Sequence, residues 1–535
     1  MSKVPEQFEG VLDRHFEGVL ADQPVFATYT GLSEGEGQLG HANLTFELRQ
    51  ERRRRSTLKA LDALNPRDLL LEQHLDRLAL RSQLLRESED FERSRHTLDP
   101  SGPDLVLNLF LYELQRGEDE PDRAARNLRS LLRRTPAYLA EAETLIERPE
   151  PVWRRIMTQT VAGAPSLLSA VLEFLQRHPS KSRDVELIEG ANRACIVYRD
   201  AILARPPAVD GSFSIGTARM ARRVRDQLGL DYTLEEIETL AVSEAGRIGK
   251  LLEVACGRFG GTKSADDIIR QARSEWDPGE NLLGHYQRET ERVADAFRNA
   301  KAVTFPRNET LEVRPGPEFM RHLYPTAAYS SPGPFSKKQR GIFWVNDLSL
   351  TKTTEAQKLA ERQQHFGLSL TCAHEAYPGH HLQFITANQH PRRWRRLFAH
   401  AVFYEGWTLW CEQMMVDLRV DRSPWLRVQQ LHDALWRAHR VLVDIRLQTG
   451  RYSYDQAVSH LRKHLGFTKA RASADVNWYT ASPTVPMSYW LGRLENDRLR
   501  HRLMDGRGWS LQRFNDWLLS FGTLPQSWIE KYGLD

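Results

Sequence analysis

Along the first two hundred residues, apolar positions recur every three or four places in a charged background, as at Leu69-Leu70-Leu71, Leu75, Leu78 and Leu80. That spacing gathers them on one helical face and predicts an all-helical N-terminal region over 1–205. Pro206-Pro207 and Gly211 interrupt the pattern and open a second region over 206–535. Helix resumes there, with Thr233 and Glu236 at capping-box spacing ahead of Ile237, Leu240 and Val242. Between about 301 and 350 the texture turns β-like. Ala302-Val303-Thr304-Phe305, Leu311-Glu312-Val313 and Gly341-Ile342-Phe343-Trp344-Val345-Asn346 are short runs separated by Pro and Gly, which predicts a small sheet. From Thr354, paired in spacing with Gln357, the chain reads helical through Cys372. A second helix follows Pro391 and carries Tyr404-Glu405-Gly406-Trp407, so that two helices occupy about 354–420. The chain is therefore expected to be mainly α, a large multi-helix body with one small sheet.

Composition narrows the function classes. With 27% charged and 41% hydrophobic residues in 535, the chain can bury a deep core and is not of disordered type. Lys plus Arg total 74 against 70 Asp plus Glu, so no strong field is available to hold a polyanion, and nucleic acid is not expected as a partner. The basic clusters Arg52 to Arg55 and Arg392-Arg393-Trp394-Arg395-Arg396 read as solvated helix faces. Cys195, Cys256, Cys372 and Cys411 have no CxxC spacing and are too sparse for a disulfide framework. No apolar stretch approaches the ~18 residues of a membrane span, and the opening residues lack a signal-type apolar core. These features lead us to expect a cytoplasmic protein that is not membrane-embedded; the sequence leaves its oligomeric state open.

The chemistry concentrates in His374-Glu375-Ala376-Tyr377-Pro378-Gly379-His380-His381. A catalytic zinc takes three protein ligands, and H-E-x-x-H supplies two of them because residues four apart share a helical face, with the Glu reaching the metal's water. Here Pro378 stands where the second His would be. At about 100° per residue, an unbroken helix brings His381 to within about 20° of His374 and leaves His380 about 120° away. Pro378 cannot donate to residue 374 and Gly379 loosens the chain, so a kink or π-type bulge would instead favour His380. Geometry leaves the two histidines open. A carboxylate or His from a neighbouring helix should complete the set: Glu405 lies far enough beyond the His390-Pro391 turn for its helix to fold back. Glu412, two turns on, can accept from a ligand histidine's second nitrogen.

The string from His374 to Gln383 resembles the H-E-x-x-P-G-H-x-x-Q signature of the bacterial DUF885 proteins, which look like a divergent branch of the gluzincin metallopeptidases. Tyr404-Glu405-Gly406-Trp407 resembles their E-G-W motif. The likeness extends to Pro24 with Ala27-Thr28, Ala328-Tyr329, Gly341 to Asn346, Arg440 with Asp444, and Ser488-Tyr489 near Gly492. It implies a metallopeptidase-like body with the sheet beside a Zn2+ site held by His374, His380 and Glu405. Glu375 is then the general base, and His381 a neighbour or alternative ligand. Dipeptidyl peptidase III, whose zinc motif also carries an extra residue between its histidines, is an analogous case. Asp444-Ile445-Arg446-Leu447-Gln448 departs from the family's D-x-x-L-H, and Pro483-Thr484-Val485-Pro486-Met487 from its P-G-Q; both bear on the substrate pocket rather than the metal.

The implied activity is hydrolysis of short peptides, with a phenol or guanidinium facing the developing oxyanion; the alternatives are a zinc hydrolase of a non-peptide amide or ester, and a catalytically silent binding protein on the same fold. Tyr489 is the first candidate, with Tyr479 and Arg493 behind it. Gly341, Phe343 and Val345 are expected to bind substrate as an added strand. Two other matches lack their structural context: Gly31-Leu32-Ser33-Glu34-Gly35 has no preceding strand for a nucleophile elbow, and Gly35-Glu36-Gly37-Gln38-Leu39-Gly40 has no βαβ unit. Cys372 reads as a small buried residue.

Overall fold

A computed structural model describes residues 3–180, 183–260, 263–316, 326–346 and 354–534. They divide into two compact units, Met1–Ser214 and Ile215–Asp535. The division falls just beyond the Pro206-Pro207 and Gly211 interruption.

The first unit is helical throughout its described residues. Prolines stand in the opening turn of Val4–Asp22, Gly102–Arg116, Pro121–Leu145 and Pro151–Arg177, where the missing N–H would have had no helical partner. In Pro121–Leu145 the buried Ala124, Leu128, Leu131, Leu132 and Leu139 repeat at helical spacing and meet Val161, Leu168 and Val171 of Pro151–Arg177 in one apolar core. A fully buried Leu or Val contributes about 2 kcal/mol there. The leucine cluster at 69–71 behaves differently from its neighbours. Leu70 caps the helix Leu71–Glu92 and is 65% exposed, while Leu75 and Leu80 are fully buried, because the Gln73 side chain turns back to accept the Leu70 N–H and starts the helix at that point. Ser33 lies in a turn between helices, with no strand ahead of it.

The second unit carries the sheet and the motif helices. Both capping boxes form: Thr233 with Glu236 opens Leu234–Gly257, and Thr354 with Gln357 opens Glu355–Arg362. The latter helix is shorter than its pattern predicts. Gly367, at φ 84°, interrupts it before a single turn Leu368–Thr371 leads into the motif. Among the described residues three strands make the sheet: β1 (Thr310–Pro315), β2 (Ala327–Ser330) and β3 (Arg340–Val345), in the order β1-β3-β2 with β3 parallel to β1 and antiparallel to β2. Residues 317–325 and 347–350, within the stretch expected to hold the sheet, lie outside the described residues. Ala302 to Phe305 is not a strand. Asn515 Nδ2 donates to the Ala302 carbonyl and Thr304 N to Asp516, so the helix Leu511–Leu519 takes the backbone groups that a neighbouring strand would have used.

At the centre runs Ala401–Asp417, here the Glu405 helix, buried nearly all round by Val402, Phe403, Trp407, Leu409, Trp410, Cys411, Met414 and Met415. It packs against Val485–Arg500, the Tyr489 helix, and both flank Leu426–Gln448, the Arg440 helix. The first two cross at glycines. A Cβ on Gly406 would lie 2.5 Å from the Gly492 carbonyl carbon, and one on Gly492 would lie 1.9 Å from the Val402 oxygen. Backbone touches backbone there, which brings Tyr489 within reach of Glu405. No described helix is long and apolar enough to cross a membrane.

Three histidines stack between the Arg440 helix and Tyr454–Leu465. His439 Nδ1 lies 3.0 Å from His460 Nε2, Tyr452 bonds the other His460 nitrogen, and the His464 ring lies 4.5 Å from that of His460. Burial, then the neighbouring rings and the cations Arg446 and Lys463, push His460 down to about 3; burial, His464 and Arg446 push His439 to about 4. A histidine depressed on folding contributes stability that is complete above its unfolded pKa near 6.5 and is lost as pH falls through that value. Between pH 7.5 and 5 each ring should therefore cost about 1–2 kcal/mol. Thermal melts at the two pH values are expected to show a smaller loss for His460→Gln than for the wild type, and equal losses would contradict the assignment.

Candidate metal centre

The motif solves its Pro-Gly problem with a change of helix type. Cys372–Ala376 forms a π turn, closed by the Tyr377 N–H donating to the Cys372 carbonyl at 3.1 Å, five residues back. Pro378 has no N–H to continue it, and a new helix, His380–Asn388, starts immediately after Gly379. Gly379 folds so closely over the turn that a Cβ there would lie 1.8 Å from the His374 oxygen. Trp407 fastens this break to the Glu405 helix, its indole N–H donating to the Pro378 carbonyl at 2.8 Å. His380 is thereby carried back beside His374, with ring centroids 5.0 Å apart.

His374, His380 and Glu405 bring one ligand atom each to within 4.8 Å of the others. His374 Nε2 lies 3.8 Å and His380 Nε2 3.7 Å from the same Glu405 oxygen, Oε2. Tetrahedral ligation at ~2.1 Å sets ligand atoms about 3.4 Å apart, and both histidine nitrogens lie within a few tenths of an ångström of that spacing from Glu405 Oε2. Oε2 is buried without a hydrogen-bond partner, an arrangement that costs free energy unless a cation faces it. Glu412 Oε1 accepts from His374 Nδ1 at 2.9 Å, which leaves the Nε2 lone pair directed at the cluster. Burial, with help from Arg437 and Arg440, holds His374 down to about 3, and burial beside His374 holds His380 well below its ordinary value. Both rings are thus in the neutral form that ligates metals. Two neutral imidazoles and a carboxylate match the donor set of catalytic zinc.

Glu375 follows His374 on the π turn. Burial, then the charges of Glu405 and Glu412, push its carboxyl up to about 8, while the backbone N–H of Tyr329 donates to it. Burial also lifts Glu405 to about 7, against a hydrogen bond from Tyr489 and the nearby guanidinium groups of Arg440 and Arg437.

Each of the other candidates has partners of its own. His381 is fully buried and engaged elsewhere: its Nε2 lies 2.7 Å from Glu309 Oε2, which also accepts from Tyr377, and its Nδ1 lies 3.1 Å from the Tyr329 hydroxyl. Tyr489 bonds Glu405, whereas Tyr479 donates to Asp475 at 3.0 Å and accepts from Arg440. Arg493 pairs with Asp497 and lies over Trp410, lining a cavity of about 210 Å³ with Glu412, Arg427 and Trp490. Cys372 is fully buried and takes a hydrogen bond from Thr290.

The sheet requires a correction. β3 is the central strand: Phe343 pairs with both Val313 and Tyr329, and Val345 with both Pro315 and Ala327. From Ile342 to Val345 its main-chain groups are spent on two neighbours, so Phe343 and Val345 offer no edge to an added strand, and Gly341 pairs with Leu311 of β1. The buried Phe343 and Val345 side chains serve the core, and Gly341 backs onto His381. It is β2, at the edge, that meets the site through Tyr329. Sequence reasoning gave no role to Glu309, Tyr329 or Arg440. Ala327-Ala328-Tyr329-Ser330 carries no apolar-polar alternation to mark β2, and nothing local marks Glu309 as the partner of a histidine seventy-two positions on.

The family of bacterial proteins of unknown function designated DUF885 matches residues 24–532. No curated protein matches the chain. Among solved structures, a candidate lipoprotein of unknown function from Shewanella oneidensis shares 19% identity at a TM-score of 0.78, covering 99% of this chain and 100% of that one. A candidate lipoprotein from Colwellia psychrerythraea shares 17% identity at a TM-score of 0.77, over 99% and 98%. At these identities the likeness is one of fold. Trypanosoma cruzi metallocarboxypeptidase 1 aligns over 99% of this chain and 91% of its own at 9% identity and a TM-score of 0.38, too low to carry an argument.

Proposed function

The chain belongs to the DUF885 family of bacterial proteins, and from that premise we propose that it is a zinc-dependent hydrolase acting on the amide bonds of short peptides. One observation carries the reading: two neutral histidines face a single unpartnered carboxylate oxygen of Glu405, with Glu375 buried alongside.

His374, His380 and Glu405 would hold the ion, and Glu412 would fix the His374 ring. Zinc bound there supplies a Lewis acid that polarises a carbonyl and acidifies water. Glu375, held by the Tyr329 N–H, takes one proton from water as its oxygen adds to the carbonyl carbon, then delivers it to the amide nitrogen as the C–N bond breaks. A carboxylic acid and an amine leave, and the atoms balance. Tyr489, anchored on Glu405, is placed to donate toward the oxyanion when substrate displaces that bond.

We place the protein in the cytoplasm, where its four buried, unpaired cysteines stay reduced. Cell fractionation tests this: recovery with membranes or periplasm would contradict it.

The function itself is tested on a mixture of short peptides. Hydrolysis that is abolished by a chelator and restored by zinc is expected. Cleavage of simple esters or non-peptide amides alone would reassign the substrate, and hydrolysis indifferent to the chelator would contradict a metal enzyme.

A further inference from the structure

Arg440 is nine-tenths buried yet lacks an anionic partner. On the same helix Arg446 pairs with Glu238 at 2.7 Å, and Arg437 lies 3.6 Å from Asp433 and 3.9 Å from Glu412. Arg440 is 6% exposed, and among the described residues its one hydrogen bond runs from Nε to the Tyr479 hydroxyl at 3.0 Å. Aromatic faces surround the rest of the guanidinium: its carbon lies 3.9 Å from the centroid of Trp436, 4.6 Å from Tyr489 and 5.3 Å from Trp478. Of the two carboxylates whose charge reaches it, Asp475 accepts from Tyr479 at 3.0 Å and the Trp436 indole at 2.9 Å through Oδ2, and Glu405 accepts from Tyr489.

A guanidinium has five N–H donors in a planar fork that matches a carboxylate two bonds at a time. π faces attract the cation by about 0.5–2 kcal/mol but accept none of those N–H groups in the plane of the fork. The Nη groups carry no carboxylate and are not sealed off, so the fork is open to an anion that enters beside the aromatic walls. Its position fixes which anion. A single phenol ring, that of Tyr489, separates the guanidinium from Glu405 and hence from the proposed metal. That span corresponds to one or two residues of extended peptide at about 3.4 Å each.

We propose that Arg440 seats the C-terminal carboxylate of the substrate, with Trp436, Trp478 and Tyr489 forming the walls, and that the protein removes one or two residues from the C-terminal end of short peptides. This rests on the hydrolase reading above. The fork grips the terminus, the scissile carbonyl falls at the His374–His380–Glu405 cluster, and peptides lacking a free terminus lose the anchor.

The test uses the full chain and an N-blocked tetrapeptide as free acid and as C-terminal amide. With zinc present, kcat/KM for the acid is expected to exceed that for the amide by about 100-fold, the worth of one charge-assisted bidentate contact, and Arg440→Gln should remove the preference. Because that variant removes a buried group, the wild-type acid-to-amide ratio stands as an independent measure, and calorimetric titration of metal-stripped wild type with the same two peptides supplies a third. Equal hydrolysis of acid and amide by the wild type overturns the carboxylate seat and leaves the hydrolase intact. No hydrolysis of either by zinc-loaded protein overturns the hydrolase; calorimetry then decides the seat, tighter binding of the acid supporting it and equal binding refuting it.

Discussion

Glu375→Gln is expected to lower kcat/KM for peptide hydrolysis by about 10³-fold while the protein still takes up one zinc. The separation follows from the positions of the groups. His374, His380 and Glu405 supply the three converging ligand atoms, and Glu375 is outside that set. Glutamine preserves the shape of the side chain and can still meet the Tyr329 N–H, but it cannot accept a proton. The loss should appear in kcat rather than KM, since the group acts on the moving proton and not on the bound substrate. Steady-state assays with a metal count on the same preparation decide it: a variant that keeps its activity, or that loses zinc together with activity, would remove Glu375 from the role of base.

Gly492→Ala is expected to destabilise the second unit by about 3 kcal/mol. Its Cβ would stand 1.9 Å from the Val402 carbonyl oxygen, and the obstacle is backbone, which no change of rotamer clears. Relief requires the Tyr489 helix to move away from the Glu405 helix, exposing Val402, Met487 and Leu491 in the core that the two share. The same movement pulls the Tyr489 phenol from Glu405, so activity should fall in whatever fraction remains folded. Denaturant titration of wild type and variant measures the effect. An unchanged midpoint would mean that the crossing is looser than the glycine contact implies.

What could be read from the chain without coordinates depended on how local the cause was. Helical spacing and capping pairs act within a turn or two, so Thr233 with Glu236 and Thr354 with Gln357 announced their helices directly. The Pro-Gly break was legible as an interruption, and the π turn was one of two geometries that it allowed. Gly367 was a local stop signal within the helical pattern after Thr354, whereas long-range partners set the misreadings in the sheet region. Ala302 to Phe305 has strand composition, but two side chains from more than two hundred positions away occupy its backbone. β3 looks like an edge strand until its neighbours on both sides are known. Arg440 sits four residues after Trp436, a spacing common on exposed helices. Only the arrival of Trp478, Tyr479 and Tyr489 from two other helices turns it into a buried, anion-poor cation.

The centre itself is tested most directly by calorimetric titration of zinc into metal-stripped wild type, His380→Ala and His381→Ala. One zinc per chain is expected for the wild type, binding weakened by at least two orders of magnitude for His380→Ala, and near-wild-type binding for His381→Ala, whose ring is tied to Glu309 and Tyr329. Wild-type protein that takes up no zinc, or a His381 variant that loses it while the His380 variant keeps it, would contradict the centre described by His374, His380 and Glu405.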